Sequence, residues 1–273
     1  MQWENLTSLD FEKAVQECKG VGILPVGVIE AHSSHLPLGM DMFACHWVAC
    51  RAAEKEPAIV FHAYPYGVNI ESAHLPGAVV IKREVIFSLL ENICDEMARN
   101  GLKKIILSSG HGGNRYLLPL FVQTLPEKDK TYTVYYSEPG HFPGADDLLE
   151  GDEYGHACEA ETSVMLHIDG DTVKMDQVPP QPFRNAQRNA DVAGAGGYSP
   201  IDWYAMYPHM YVGDARPATA VKGKIMLDNE VENLVKLIQT VKSDDITPRL
   251  VREFVDRKQN PKAPNFWTEG DSK

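Results

Sequence analysis

The residues best suited to chemistry follow the first apolar run of the chain, residues 21–29. Glu30 and His32 are two positions apart, so in an extended strand their side chains share a face and can reach a common point. His35 and Asp41 follow closely. Carboxylate oxygens and imidazole nitrogens suit divalent ions such as Zn, Mn or Fe, and one carboxylate can bridge two ions. The segment indicates a metal site at a strand end, with a solvated turn and a helix-capping Asp41 as the alternative.

A second cluster, Gly-His-Gly-Gly-Asn at residues 110–114, lies between the β-branched run 104–107 and a helical pattern at 114–125. Glycine lets the backbone approach a ligand closely, which leaves His111 as the metal-binding side chain of this turn. Taken alone, the pattern fits equally an anion site at a helix N-terminus or a plain turn between strand and helix. This cluster indicates a metal site only in combination with the others.

The third cluster lies within residues 153–166 and contains His156, Glu159 and Glu161. His156 and Glu159 share a helical face, whereas His156 and Glu161 face each other only if the first turn of the helix is irregular. An amphipathic helix with acidic residues near its positive end is the alternative. Cys158 lies beside this cluster, and we interpret it as a buried apolar residue rather than a nucleophilic thiol.

Together, the three clusters resemble the creatininase family of metal-dependent amidohydrolases, and the resemblance covers most of the chain. The shared motifs are Glu-x-His followed by His-Leu-Pro and Asp, then Gly-His-Gly-Gly-Asn, then Glu-Thr-Ser preceded by a His. They stand here at residues 30–41, 110–114 and 156–163. Weaker similarities lie at 74–77, a shortened form of the family's His-x-x-Pro-Gly-Thr region, and at 213–223. Several motifs in one order are far more specific than any single motif.

The resemblance implies a site for two divalent ions per subunit, Zn paired with Zn, Mn or Fe. In that site Glu30 and His111 hold one ion, His32 holds the other, and Asp41 bridges the two. Such ions can share a water, lower its pKa toward about 7 and polarise a carbonyl group, which is the chemistry of hydrolysis.

One ligand of the family does not transfer to this chain. Creatininases carry a Glu two residues after the His of the second motif, and Gly113 stands at that position here. Relatives with the double-glycine form complete the site from the Glu-Thr-Ser helix, which assigns the missing carboxylate to Glu161, with Glu159 as the alternative. The departure weakens the inference that creatinine itself is the substrate.

The resemblance also makes His156 the general acid that protonates the leaving group. The role of His35 stays open between orienting a metal ligand and anchoring a loop. We predict a metal-dependent hydrolase that cleaves an amide-like bond in a small cyclic or formylated compound. Trimming of a short peptide, ring-opening of a cyclic diketone at a carbon–carbon bond, a lyase-type reaction and metal binding without catalysis are the alternatives. A proton donor beside a ligand set favours catalysis, since ion storage needs none.

Strands and helices alternate along the chain in the order that would bring these clusters together. Strands are expected at about 21–29, 58–64, 103–109 and 131–137, with helices at 41–54, 84–99, 114–125 and 157–168 and a last one at 228–242. Helices between strands require parallel pairing, and ligands gather at the carboxyl ends of such strands. The order predicts an α/β fold, and the family resemblance agrees with it: a three-layer α/β/α sandwich with a mostly parallel central sheet.

From residue 179 to 217 the pattern dissolves into Pro, Gly, Asn and aromatic residues. We interpret this segment, which includes Trp203 and Tyr207, as a loop over a pocket or a subunit contact. The alternative is a surface loop whose aromatic residues pack on one another. The family's closed assemblies imply a homo-oligomer, in particular a hexamer.

Composition limits the partners of the chain. Its 273 residues show no linker between the clusters, so we expect one domain, residues 1–260, and a loosely ordered tail, residues 261–273. The 26 basic and 38 acidic residues give a net charge of −12, which disfavours nucleic acid and anionic membranes and leaves a small molecule as the expected partner. A basic-then-apolar leader, a membrane-spanning run and a CxxC pair are all missing, so we expect a cytoplasmic protein.

Overall fold

Parallel strands in the order β2-β1-β3-β4 form the centre of the structure, a computed structural model that describes residues 1–138, 147–151, 153–264 and 267. The strands are β1 (Val21–Val26), β2 (Ile59–Val60), β3 (Lys104–Ser109) and β4 (Thr133–Ser137). β1 and β3 pair along their whole length, with Ile23 opposite Ile106. Their runs of apolar and β-branched residues suit strands that are buried on both faces.

Helices cover both faces of the sheet. They are α1 (Ser8–Glu17), α2 (Met40–Lys55), α3 (Arg83–Arg99), α4 (Asn114–Thr124), α5 (Glu159–Asp169), α6 (Ala190–Gly194), α7 (Asp202–Met206), α8 (Ala220–Ser243) and α9 (Ile246–Gln259). Within the part of the chain that the structure describes, no helix combines the length and the apolarity needed to cross a membrane.

The apolar core consists of two layers, one on each face of the sheet, because side chains alternate in direction along the strands. Leu24, Ile105 and Leu107 pack on one face against α1, α3 and α4. Ile23 and Ile106 pack on the other face against α2 and α8. Successive side chains of a strand point to opposite faces, so each buried strand contributes to both layers. The predicted α/β/α sandwich with a parallel sheet is confirmed.

Two glycines let α2 approach the ends of the central strands. A Cβ at Gly27 would lie 2.5 Å from the backbone of Met42, and a Cβ at Gly110 would lie 2.5 Å from the carbonyl oxygen of Asp41. A side chain at either position would push the first turn of α2 away from the sheet. The carboxyl ends of β1 and β3 and the N-terminus of α2 therefore meet at one point.

A third apolar cluster joins α5 and α8 beside that point, and it includes Met165, Tyr211 and Met226. The two helices touch at Gly223, where a Cβ would overlap the carbonyl oxygen of Ser163. The Ser163 hydroxyl oxygen also accepts the Thr219 backbone N–H at 3.1 Å. α8 thus fixes the position of α5 relative to the sheet.

Four helices were not predicted from the sequence, namely α1, α6, α7 and α9, and α8 begins at Ala220 instead of residue 228. Thr7 and Thr219 cap the N-termini of α1 and α8, because their hydroxyl oxygens accept backbone N–H groups of the first turn. Much of the expected tail, residues 261–273, lies outside the described residues, and the single domain 1–260 stays a prediction.

Candidate metal centre

The three sequence clusters meet at the carboxyl end of the sheet. Glu30 and His32 follow β1, His111 follows β3, Asp41 lies in the first turn of α2, and Glu161 lies in the first turn of α5. The first four of these side chains are buried, and Glu161 is 17% exposed. A buried group of ionisable side chains requires ion pairing or metal ions.

His111 lies between two carboxylates. Its Nδ1 is 3.1 Å from Glu30 Oε1 and 2.9 Å from Asp41 Oδ2. Neighbouring donor atoms around one divalent ion lie about 3 Å apart when the metal–ligand distances are about 2.1 Å. The arrangement of these three side chains therefore fits one bound ion.

His32 faces the other oxygen of Asp41. Its Nε2 is 3.1 Å from Asp41 Oδ1 and 3.8 Å from Glu161 Oε2. Its Nδ1 faces the backbone carbonyl of Glu30 at 3.3 Å, which favours the ring proton on Nδ1 and leaves Nε2 for a metal. Because Asp41 offers one oxygen to each histidine, its carboxylate can bridge two ions.

Some buried oxygens at this centre accept no well-oriented hydrogen bond from the described residues, although two of them lie close to His111 Nδ1. They are both carboxylate oxygens of Glu30 and Oδ2 of Asp41. Burying a carboxylate without a partner is costly, so such oxygens are normally paired or bound to a metal. Imidazole and carboxylate ligands are those that Zn, Mn and Fe accept in proteins. The residues present thus fit a two-ion centre.

Burial and charge act on the pKa values of the centre in opposite directions. Burial alone would lower the pKa of His32, but the surrounding carboxylates, Asp41 first, raise it to about 10. Burial alone would raise the pKa of Asp41, but His32 and His111 hold it well below its usual range. The carboxylates therefore require nearby positive charge, which protons or metal ions can supply.

His156 lies beside the centre. Its ring stacks on the His32 ring with centroids 4.2 Å apart, and Trp203 packs edge-on against it at 6.0 Å. Its Nε2 is 2.8 Å from the Ala31 carbonyl oxygen and carries the proton, while Nδ1 faces Glu30 Oε1 at 3.9 Å. Burial, with a smaller contribution from His32, lowers the pKa of His156 to about 4. The imidazole is therefore neutral at neutral pH.

The backbone between His156 and Glu161 is irregular. Ala157 has a φ of 53°, in the left-handed region that non-glycine residues rarely adopt. Its N–H donates to Glu161 Oε2 at 2.5 Å. α5 begins at Glu159 rather than at residue 157, so His156 precedes the helix. The irregular turn that the spacing of His156 and Glu161 required is present.

Glu159, the alternative ligand, is engaged elsewhere. Its Oε2 accepts the backbone N–H groups of Glu150 at 2.8 Å and of Gly151 at 3.2 Å. Its other oxygen pairs with the ammonium group of Lys222. Glu159 also joins none of the three groups of His, Asp, Glu and Cys side chains in the described residues that could hold a metal ion.

The two remaining residues of interest are structural. His35 Nε2 lies 2.9 Å from Thr162 Oγ1, and the His35 carbonyl oxygen accepts the Lys174 N–H at 2.8 Å. These contacts favour the loop-anchoring role for His35 over the orienting one. Cys158 is buried, and burial raises the pKa of its thiol to about 11, so it is protonated and unsuited to nucleophilic attack.

The sequence analysis missed one residue of the centre, Glu71. Its Oε1 lies 3.2 Å from His111 Nε2, and together with Glu30 it forms one of the candidate metal groups around His111. Glu71 lies in the irregular stretch between β2 and α3, where no periodicity indicates a side chain's direction. The nearby motif at residues 74–77 was the only signal in that stretch.

Part of the aromatic segment lies beside the centre, while Trp203 and Tyr207 also pack on each other with ring centroids 5.0 Å apart. Trp203 contacts His156 and donates its Nε1–H to Met210 Sδ at 3.2 Å. The Met210 carbonyl oxygen accepts the Ser33 N–H at 2.9 Å, which ties the segment to the first cluster. Tyr207 donates its hydroxyl to Glu153 at 2.8 Å.

Known proteins share the sequence pattern of this chain. A family model described as creatininase, creatinine amidohydrolase, matches residues 4–238. The creatinine amidohydrolase of Pseudomonas putida is 23% identical over 257 residues, which cover 86% of this chain and 94% of the relative. The mycofactocin precursor peptide peptidase of Mycolicibacterium smegmatis is 32% identical over 165 residues, which cover 57% of this chain and 61% of the relative.

Solved structures share the fold. A crystal structure of creatinine amidohydrolase superposes with a TM-score of 0.74 at 23% identity, covering 89% of this chain and 98% of that chain. Creatininase has also been solved as a mutant of Zn–Zn type and in a form named for Mn. Because the family model covers most of its length, the chain belongs to the creatininase family of metal-dependent amidohydrolases.

Proposed function

We propose that the chain hydrolyses an amide-like bond with two divalent ions, Zn paired with Zn, Mn or Fe. Glu30 and His111 would hold one ion, His32 and Glu161 would hold the other, and Asp41 would be shared between them. The observation that carries the proposal is the convergence of buried carboxylate oxygens of Glu30 and Asp41 on the imidazole nitrogens of His32 and His111. When bound, the ions supply an activated water and polarise the carbonyl group of the substrate.

His156 moves the proton in this proposal. A pKa of about 4 leaves its imidazole neutral, so Nδ1 first accepts a proton and only then donates it to the leaving nitrogen. The hydrogen bond from Nε2–H to the Ala31 carbonyl oxygen holds the ring in place for both steps. The residue expected to act as general acid thus begins the cycle as a base.

The preferred substrate class is a small cyclic or formylated nitrogen compound. Trp203 lies against His156 and narrows the approach to the centre, which favours a compact substrate. The relative from Pseudomonas putida is named for a small cyclic amide, creatinine. A short peptide is the second candidate, because another relative is named as a peptidase of a precursor peptide.

Two further expectations belong to the same proposal. The five cysteines are unpaired, which supports a reducing compartment such as the cytoplasm. Several large apolar side chains are exposed, among them Phe43, Tyr116 and Leu120. A homo-oligomer that uses some of this surface, a hexamer by the family resemblance, is part of the proposal.

The test compares the wild type with His156→Asn on cyclic amides, formamides and short peptides at matched metal loading. The variant should keep both ions and bind substrate, yet lose about 10²–10⁴-fold in turnover, the usual contribution of a positioned acid–base group. The loss should be smaller for substrates with good leaving groups. His209→Asn, which changes an exposed histidine of the aromatic segment, is the matched control and should leave turnover unchanged.

Equal turnover by His156→Asn and the wild type would remove His156 from the mechanism. Wild-type protein that binds two ions but hydrolyses no member of the panel would favour metal binding without catalysis. Wild-type protein that binds no divalent ion would overturn the two-ion proposal itself.

A further inference from the structure

Glu71 contacts the ring nitrogen of His111 that does not face Asp41. His111 Nδ1 faces Glu30 Oε1 at 3.1 Å and Asp41 Oδ2 at 2.9 Å. The other ring nitrogen, Nε2, faces Glu71 Oε1 at 3.2 Å. The imidazole therefore lies between a carboxylate on one edge and the ligand atoms on the other.

This arrangement decides which nitrogen of His111 carries the proton. With an ion at Nδ1 the imidazole is neutral and has a single N–H, and the Glu71 carboxylate next to Nε2 accepts that hydrogen and keeps it on Nε2. The lone pair is then on Nδ1, where Glu30 and Asp41 converge. A carboxylate partner of this kind fixes the ring orientation and makes the other nitrogen a better metal ligand.

Gly113 leaves room for the contact between Glu71 and His111. A Cβ at this position would lie 2.5 Å from His111 Nε2 and 2.6 Å from Glu71 Oε1, directly on the hydrogen bond. The backbone at Gly113 has a φ of −63° and a ψ of −26°, which any residue can adopt. Glycine therefore leaves the space that the hydrogen bond between Glu71 and His111 occupies, while the backbone conformation itself would admit any residue.

The turn that carries Glu71 is fixed on two sides. Asn69 Nδ2 donates to the Ile29 carbonyl oxygen at 2.8 Å, next to the ligand Glu30. The His74 ring faces the Glu71 carbonyl oxygen at 3.1 Å and the Pro208 carbonyl oxygen at 2.8 Å. The Glu71 side chain itself is 20% exposed. The position of its carboxylate is thus set by the fold on both sides of the turn.

We propose that Glu71 is a positioning residue that acts through His111, fixing the imidazole so that Nδ1 binds one ion of the pair. The inference rests on the proposed function in so far as that function places an ion between Glu30, Asp41 and His111. Glu71 also explains why the chain can carry glycine at position 113: its carboxylate fills the space that a side chain there would take.

The test measures the affinity of each ion by competition with a chelator, in the wild type, Glu71→Leu and Glu71→Gln. Glu71→Leu removes the acceptor at similar volume and should weaken one ion by about 10–100-fold, the usual effect of losing such a partner, while the second ion stays within a few-fold of wild type. Glu71→Gln retains an oxygen that can accept the Nε2–H, so it should recover most of the affinity. With Co²⁺ as the probe, the visible spectrum should change in Glu71→Leu and return in Glu71→Gln.

Two glycine variants give an independent comparison. Gly113→Ala should weaken the same ion, because its Cβ displaces the hydrogen bond. Gly112→Ala is the matched control, since its Cβ would meet only the Arg115 guanidinium at an ordinary 3.6 Å. Glu159→Gln controls for the loss of a buried glutamate that is paired with Lys222 instead.

Wild-type affinity for both ions in Glu71→Leu would overturn the inference. Equal losses of ion affinity in Glu71→Gln and Glu71→Leu would also overturn the inference. Ion binding would then depend on the negative charge of Glu71, as expected for a direct metal ligand, and not on its hydrogen bond to His111. These results leave the proposed function intact if the wild type binds two ions and turns over substrate. Absence of the two ions from the wild type would instead reject the proposed function.

Discussion

A carboxylate that few other donors hold is the better candidate for a metal ligand, and two glutamates of α5 differ in this respect: Glu161 accepts one backbone N–H, that of Ala157, whereas Glu159 is held by three donors. Glu161 Oε2 lies 3.8 Å from His32 Nε2. Burial raises the pKa of Glu161 to about 7, although His32 acts against this shift, so its charge is incompletely compensated. Glu159 is instead held by Lys222 and by two backbone N–H groups. The residue two positions further along the helix is thus the available ligand.

We therefore expect Glu161→Gln to weaken one ion by more than about 100-fold, beyond the range seen when only an outer partner of a ligand is lost. Glu159→Gln should keep both ions and lower the Tm, because Lys222 then loses its buried partner. Chelator competition measures the ion affinities, and thermal unfolding measures the Tm. Loss of an ion in Glu159→Gln together with full loading of Glu161→Gln would reverse the assignment.

At the scale of elements, the sequence predicts the strands and helices whose apolar residues recur with a regular period. The apolar runs of β1 and β3 and the apolar stripe of α3 are local patterns, and each is found within a few residues of its predicted bounds. Glu71 could not be predicted in this way, because its contact with His111 joins residues 40 positions apart in sequence through an irregular turn. The N-cap residue Thr7 is a local sequence signal from which the start of α1 could have been predicted.

The connections that cover the centre are held in a strained conformation. Ser33, Ala157 and Met210 have φ values of 55°, 53° and 48°. Each left-handed, non-glycine residue costs about 1–2 kcal/mol, so the surrounding contacts must compensate for it. The Ser33 N–H donates to the Met210 carbonyl oxygen at 2.9 Å, which joins two of these residues directly. This bond holds the aromatic segment, with Trp203, over His156.

We expect Trp203→Ala to move the acidic limb of kcat/KM to higher pH. Burial lowers the pKa of His156 from 6.5 to about 4, and His156 must be neutral to accept a proton. Removal of the Trp203 ring admits water, so the pKa should rise toward 6.5 and activity should be lost at a higher pH. Tyr198→Ala, which changes a side chain of the same segment that is 80% exposed, is the control. An acidic limb that stays in place or moves to lower pH would contradict the role of Trp203 in burying His156.

At the scale of the whole molecule, the centre joins parts of the chain that are far apart in sequence. The ligands that we propose come from the ends of β1 and β3 and from the first turns of α2 and α5. Ions that bind there stabilise the folded state by mass action, because the unfolded chain has no preformed site. Without ions, the buried carboxylates depend on protonated histidines for compensation. The stability of the fold should therefore respond to both metal and pH.

Removal of the ions with a chelator should lower the Tm, and the loss should grow between pH 6.5 and about 10. In the ion-free protein the pKa of His32 is raised from 6.5 to about 10. The protonated form of His32 therefore stabilises the fold fully below pH 6.5, and this stabilisation is lost progressively as the pH rises toward 10. One such histidine changes the free energy of unfolding by at most about 1.4 kcal/mol per pH unit. The ion-loaded protein carries neutral imidazole ligands and lacks this dependence.

Thermal unfolding of the ion-free and ion-loaded forms across this pH range measures the difference between their Tm values. In Asp41→Asn, which removes the charge that contributes most to raising the pKa of His32, the ion-free Tm should depend less on pH. A difference in Tm that stays constant or narrows as the pH rises would contradict the placement of the ions among these carboxylates and histidines. A difference that widens, and that Asp41→Asn reduces, is the outcome that the geometry of His32 and Asp41 predicts.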